Sequence, residues 1–257
     1  MNSSRAAVRP HRRPVPASAS GRRAGWPWRP LAALARSRRT AYALLASVFL
    51  YPDAARLARI GASASHLRRE RRIFAGLAIF PEWLSLLRRL QRMTGPDAEG
   101  MQAEYAGLFG LAGAGACPPY ESHYLAPDPR RAPEAAAALE REYAAEGVSL
   151  NPSAGEAPDH IAVELEFMAF LCDREAGAWE WGVPEDGARA LARQHLFLRQ
   201  HLGRWAAHFS RTLGRAAPAG FYAAVGEAAA VFVHHDADVV ALLVQGRLPA
   251  TAAESSG

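Results

Sequence analysis

The chain has 257 residues, half of them apolar, enough to bury one full core as a medium-sized domain with or without a tail. It holds no run of about 18 uncharged apolar residues, so no segment is a candidate to cross a bilayer. Its two cysteines, Cys117 and Cys172, are too few for a disulfide framework or a cysteine-built metal site, which fits a reduced cytoplasmic setting. The formal charge of +5 hides a division, because residues 1–39 hold ten arginines and no acid while residues 40–257 hold twenty arginines and twenty-five acids.

Residues 1–39 are rich in Arg, Pro, Ala and Ser without apolar periodicity and are expected to form a disordered tail. From Thr40 the pattern is helical, beginning with Leu44, Leu45, Val48 and Phe49 on one face. The preceding Ser37-Arg38-Arg39 mimics a twin-arginine export signal. No clear A-x-A cleavage site follows before the next helical segment, however, and the apolar residues after the arginines sit at helical spacing. Trp83, Leu86, Leu87 and Leu90 mark another helix, and Glu104-Tyr105-Ala-Gly-Leu108-Phe109 a third. A long loop, 110–133, comes next; loops of that length in compact domains are commonly functional, and Pro118-Pro119 stiffens this one. The 147–157 connection reads as a hinge between two halves. A helix then opens with Pro158-Asp159-His160 and buries Ile161, Leu165, Met168 and Cys172. Leu196, Leu202, Trp205 and Phe209 mark one long late helix. Strand alternation is absent, and the expectation is a single all-α bundle domain of eight or nine helices over 40–257.

Catalytic chemistry finds little support. A di-iron bundle needs Glu-x-x-His twice, and the motif does not occur. His160 and Glu164 share a helix face, but two ligands do not make a site, and His195 and His201 point apart. Asp159 and His160 are neighbours at a helix start, and no Gly-x-Ser-x-Gly elbow surrounds Ser122, so no hydrolytic triad forms. The arginine-rich tail could meet nucleic acid electrostatically, without any recognisable reading motif.

A binding surface is the better reading. Within 97–186, eighteen Asp and Glu face four Arg, a charge of −14 that suits a basic partner. Pro158 and Asp159 fit a helix start on structural grounds alone. A cationic histidine is disfavoured there, so His160 is expected to be near-neutral and to hydrogen-bond a bound peptide. Glu164 is expected to face outward beside it and to offer a carboxylate to an arginine.

The helical E-Y-x-x-L-F, the loop Cys117-Pro118-Pro119-Tyr120-Glu121-Ser122-His123-Tyr124-Leu125 and the helix opening P-D-H and continuing Glu164-Leu-Glu-Phe-Met168 together resemble the TorD/DmsD/NarJ family of chaperones for redox enzymes. The resemblance runs over about residues 38–246. It implies an all-helical cytoplasmic protein, not an enzyme, that binds the leader peptide of the apo-form of a molybdenum-cofactor oxidoreductase until cofactor insertion is complete. It also implies peptide-binding and signature residues at Tyr105, Leu108, Phe109, Pro119, Tyr120, Glu121, Ser122, Asp159 and His160. His123 departs from the small aliphatic residue usual after the loop serine, and the arginine-rich extension is not part of the pattern. The resemblance leaves open a client that is not exported, handling of the molybdenum cofactor or a nucleotide, and whether the chain is a monomer or a helix-exchanged homodimer.

Overall fold

The first helix begins inside the stretch expected to be disordered. In the computed structural model, which describes residues 8–10, 28–70, 80–93, 97–110, 115–126, 128–151 and 155–246, α1 runs over Arg29–Val48 with a proline in its first turn, where a missing N–H costs nothing. Leu31, Ala32 and Ala35 extend the buried stripe of Leu44, Leu45 and Val48 backwards, so residues 29–39 belong to the helical domain. Short polar runs between these positions concealed the continuity. The N-terminal segment contributes a second element, β1 at Val8–Pro10, and the rest of 1–27 lies outside the described residues.

The remaining elements follow in order: α2 at Ala54–Arg69, α3 at Phe80–Gln91, α4 at Asp97–Phe109, α5 at Glu121–Leu125, α6 at Ala132–Ala145, β2 at Val148–Leu150, α7 at Ile161–Trp181, α8 at Pro184–Gln200, α9 at Leu202–Ala216 and α10 at Phe221–Val244. The described residues thus hold ten α-helices against the eight or nine expected. One of them, α5, has only five residues, too few to show a periodicity, and sits in the long loop. The only strands among the described residues are β1 and β2, which pair antiparallel with Val8 opposite Leu150 and Pro10 opposite Val148. The architecture is all-α, with this short ladder at its surface. Residues 152–154 of the expected hinge lie outside the described residues.

Helix α7 is the axis of the bundle. It packs most extensively on α1 and α8, and fourteen of its residues are buried, including Glu164 and Glu175. Gly182 ends it in the left-handed conformation at φ 67°, a geometry that glycine adopts without penalty, and Pro184 starts α8. An aromatic cluster of Phe49, Tyr105, Phe109, Phe209 and Tyr222 joins α1, α4, α9 and α10, with ring centroids 4.7 to 6.2 Å apart. None of the helices, among the described residues, is long and apolar enough to cross a membrane.

Arg38, the first arginine of the export-signal mimic, is 1% exposed. Its guanidinium donates to Asp236 Oδ1 at 2.6 Å and Oδ2 at 3.0 Å, to Glu175 Oε2 at 2.8 Å and to Gln194 Oε1. Tyr42 donates to Asp236 at 2.6 Å, and Trp179 Nε1 to Glu175 at 3.2 Å. One side chain therefore ties α1 to α7, α8 and α10, the saturated network that a buried charge requires. Arg36 and Arg39 lie outside this cage and meet Asp173 on the surface of α7, with Arg36 also bridging to Glu180.

Candidate functional site

The loop after α4 is stitched at both ends. Cys117 N–H donates to Leu108 O at 2.7 Å and Gly115 N–H to Phe109 O at 3.2 Å, which turns the chain back over the end of α4. Next, Glu121 N–H donates to Asp159 O at 2.9 Å, Ile161 N–H donates to Pro119 O at 2.9 Å, and Tyr120 pairs with His160 as an antiparallel bridge. Pro119 fits this position because only its carbonyl is used. The Asp159 carboxylate accepts from Ser122 N–H at 3.2 Å and so caps the first turn of α5. The two sequence motifs, nearly forty residues apart, form one unit held by the main chain.

His160 caps α7. Its Nδ1 accepts from Ala162 N–H at 3.1 Å, which puts the ring proton on Nε2, 3.5 Å from Glu156 Oε2. Burial pushes its pKa down to about 3, so the imidazole is neutral, as the helix-start argument expects. It is also 1% exposed and already engaged, which overturns the expectation that it is free to meet a peptide. Ser122 therefore has no base in His160.

Glu164 corrects the sequence reading more sharply. It is fully buried, accepts from Trp205 Nε1 at 3.1 and 3.2 Å, and lies against Glu121. Burial, and then the charge of Glu121, raise its pKa well above the carboxylate range, which favours the protonated carboxyl. It does not face outward because the first turns of α7 are enclosed, Ile161–Leu165 all being buried, and the exposed positions of the helix begin only at Asp173.

His201 completes the cluster, and no local pattern in the sequence marks it. It sits in the break between α8 and α9, with Nδ1 at 3.0 and 3.1 Å from the two Glu121 oxygens and Nε2 at 3.1 Å from Glu142 Oε1. Burial lowers its pKa, but the hydrogen bonds and charges of Glu121 and Glu142 outweigh this, and the net shift is upward. An imidazolium thus clamps α5 to α6. The one signal nearby is Gly203: a Cβ there would collide with Leu198 O, so the tight α8–α9 turn requires glycine. With both ring nitrogens of His201 facing carboxylates, no group of three His, Cys, Asp or Glu among the described residues is arranged to hold a metal ion.

The first motif serves the core. Tyr105, Leu108 and Phe109 are buried, and Tyr105 packs edge-on to Phe109, Tyr222 and the half-exposed Tyr51. Glu104, which the sequence reading assigned no role, accepts from Phe221 N–H at 3.1 Å and Tyr222 N–H at 3.0 Å and so caps α10 from another helix. Of the candidate residues, Pro119, Glu121, Asp159, His160 and Glu164 are buried together. Tyr120 and Ser122 are half-buried and His123 is exposed, and with half-buried Glu156 they form the solvent-facing rim.

An acid-rich helical bundle with its motif loop fixed into the framework is an architecture of the all-α class. The chain belongs to the nitrate reductase delta subunit family, whose model matches residues 78–211. It is 30% identical over 183 residues to the chaperone protein TorD of Salmonella bongori, a match covering 69% of this chain and 79% of that one. It is 34% identical over 115 residues to the chlorate reductase assembly chaperone of Ideonella dechloratans and to the selenate reductase assembly chaperone of Thauera selenatis, in each case 45% of this chain and 58% of the relative. These relatives are named as chaperones, not catalysts.

Proposed function

We propose that this chain is a cytoplasmic maturation chaperone for a molybdenum-cofactor reductase, and that it binds the twin-arginine leader or N-terminus of the apo-enzyme until the cofactor is in place. The relatives named for the assembly of chlorate and selenate reductases support the chaperone role. The leader-binding part is carried by one observation, the −14 charge of residues 97–186, the region that builds the stitched loop and its rim. Paired guanidinium groups followed by an apolar segment need carboxylates beside an apolar wall.

In this reading the buried carboxylates act indirectly. Glu121, Asp159 and Glu164 hold the loop, while Tyr120, Ser122, His123 and Glu156 present its outer surface to the peptide. The test is calorimetric titration of the full chain with a twin-arginine leader from a molybdoenzyme encoded nearby, alongside the same peptide with both arginines changed to lysine. Tight binding that weakens markedly with lysine supports the reading, since lysine cannot reproduce the planar fork. Absence of binding to the leader sinks it.

The family match itself favours a second reading, in which the client is a nitrate-reductase-like subunit that is not exported. Binding to such a subunit's N-terminus, with arginine-to-lysine exchange without effect, would select it. Nucleic-acid binding through the arginine-rich segment loses ground, because Arg36, Arg38 and Arg39 are engaged with acids of this chain.

A further inference from the structure

The β1–β2 ladder is an unusual feature for a helical bundle, because it places the chain's own basic N-terminal segment on its acidic region. Strand β2 follows α6, which carries Glu134, Glu140 and Glu142 and is capped by Glu146, and it precedes Glu156 and Asp159 of the stitched unit in sequence. Ser149, the middle residue of β2, is exposed and stands opposite Arg9, and Arg12-Arg13 follow β1 in sequence. A three-residue extended segment bearing Arg9 is therefore paired with the strand that precedes the stitched unit in sequence.

The seat is weakly held. The ladder has three residues, one of which, Pro10, has no N–H to donate. Residues 11–27, between β1 and α1, include Pro14, Pro16, Gly21, Gly25 and Pro27 and lack apolar periodicity. A strand edge pairs through its main chain and so accepts any extended segment of suitable charge.

We propose that β2 is a peptide-accepting edge, occupied in this structure by the chain's own Val8–Pro10 and taken over, when that strand is displaced, by an extended arginine-bearing segment of the client. The identity of the client rests on the function proposed above. The N-terminal segment then acts as an internal competitor that a genuine client must outbid. Because the ladder is short and each of its hydrogen bonds is modest in net worth, removing the competitor should tighten client binding about tenfold.

The test uses the full chain carrying Val8→Pro and Arg9→Pro, which cannot pair as a strand, beside the unaltered chain. Amide exchange at Val148–Leu150 should quicken in the variant. A synthetic peptide of residues 5–13 should restore protection there and leave the unaltered chain unchanged. The variant should also bind a twin-arginine leader about tenfold more tightly. If the 5–13 peptide fails to protect β2, the inference is overturned. Protection together with equal leader affinity in both chains also overturns it and leaves the proposed function standing. Protection with no leader binding to either chain keeps the edge and sinks the leader-binding function instead. A concentration-dependent dimer of the variant would assign the edge to a second copy and overturn the client as occupant.

Discussion

Arg38 and Arg39 are adjacent and chemically identical, yet the structure assigns them very different weights. Arg38 is caged by two buried carboxylates and an amide, whereas Arg39 meets Asp173 at 3.1 Å with both side chains about half exposed. Replacing Arg38 with methionine leaves Glu175 and Asp236 facing each other without a cation, and breaking a buried pair in this way costs about 3–5 kcal/mol. Lysine keeps the charge, but a single ammonium cannot reach Asp236, Glu175 and Gln194 together, so Arg38→Lys should cost about 2–3 kcal/mol through hydrogen bonds lost to charged partners. Arg39→Lys, at a screened surface pair, should cost less than about 0.5 kcal/mol. Urea unfolding followed by tryptophan fluorescence reads the difference directly. With a slope of about 3 kcal/mol/M, Arg38→Lys should lower the midpoint by nearly 1 M and Arg39→Lys by about 0.2 M or less. Equal and small effects at the two positions would refute the assignment of Arg38 as the tie among α1, α7, α8 and α10.

Glu104→Ala should lower stability by about 1–2 kcal/mol, because two N–H groups at the start of α10 lose their acceptor, while Glu104→Gln should lose less; thermal unfolding compares the two. Stability should depend on pH through three groups of opposing sense. On the acid side, His160 stays neutral in the fold while its unfolded counterpart takes up a proton below about pH 6.5, so its contribution is lost as pH falls, and His160→Asn should keep the cap and flatten this limb. In the opposite sense, His201 and Glu164 both have raised folded pKa values, so their contributions are complete at lower pH and are lost as pH rises, from about 6.5 for His201 and from about 4.5 for Glu164. Glu164→Gln should therefore reduce the fall in urea midpoint as pH rises above about 4.5, and an unchanged fall would contradict the raised pKa of Glu164. Gly187→Ala would push a methyl into the Trp179 indole at 2.7 Å, and should cost about 1–3 kcal/mol by overpacking, measurable as a lowered melting temperature.

The all-α class was legible because the core stripes recur at helical spacing, and Leu44, Leu45, Val48, Ile161, Leu165, Trp205 and Phe209 are all buried as that spacing requires, whereas Leu196 is exposed, because the expected single late helix breaks at His201 into α8 and α9. The unity of the two motifs could only be inferred from resemblance, since main-chain bonds such as Glu121 N–H to Asp159 O leave no trace in side-chain pattern. Helix α7 carries too little amphipathic signal to separate inside from outside, and for that reason Glu164 and His160 read as surface groups. The role of His201 as a clamp was missed for a different reason. Its partners Glu121 and Glu142 lie 80 and 59 residues away, and only the folded chain brings them together. The helical start at Arg29 was missed because arginine counted as solvent-seeking, and the acceptors that bury Arg38 come from three other helices.

The span between Arg38 and Asp236 also dictates an order of events on the ribosome. The two residues are 198 positions apart. At about 5–20 residues per second, Arg38 is synthesised roughly 10–40 s before its carboxylate partner. Through that interval Arg38 Nε has no acceptor, although Glu175 and Gln194 are made before Asp236. The cage closes when α10 arrives, so a fragment lacking α10 keeps Glu175 and Gln194 but leaves a buried guanidinium N–H unsatisfied. Such fragments should remain open to proteolysis, and an incomplete chaperone would be cleared before it could engage a client.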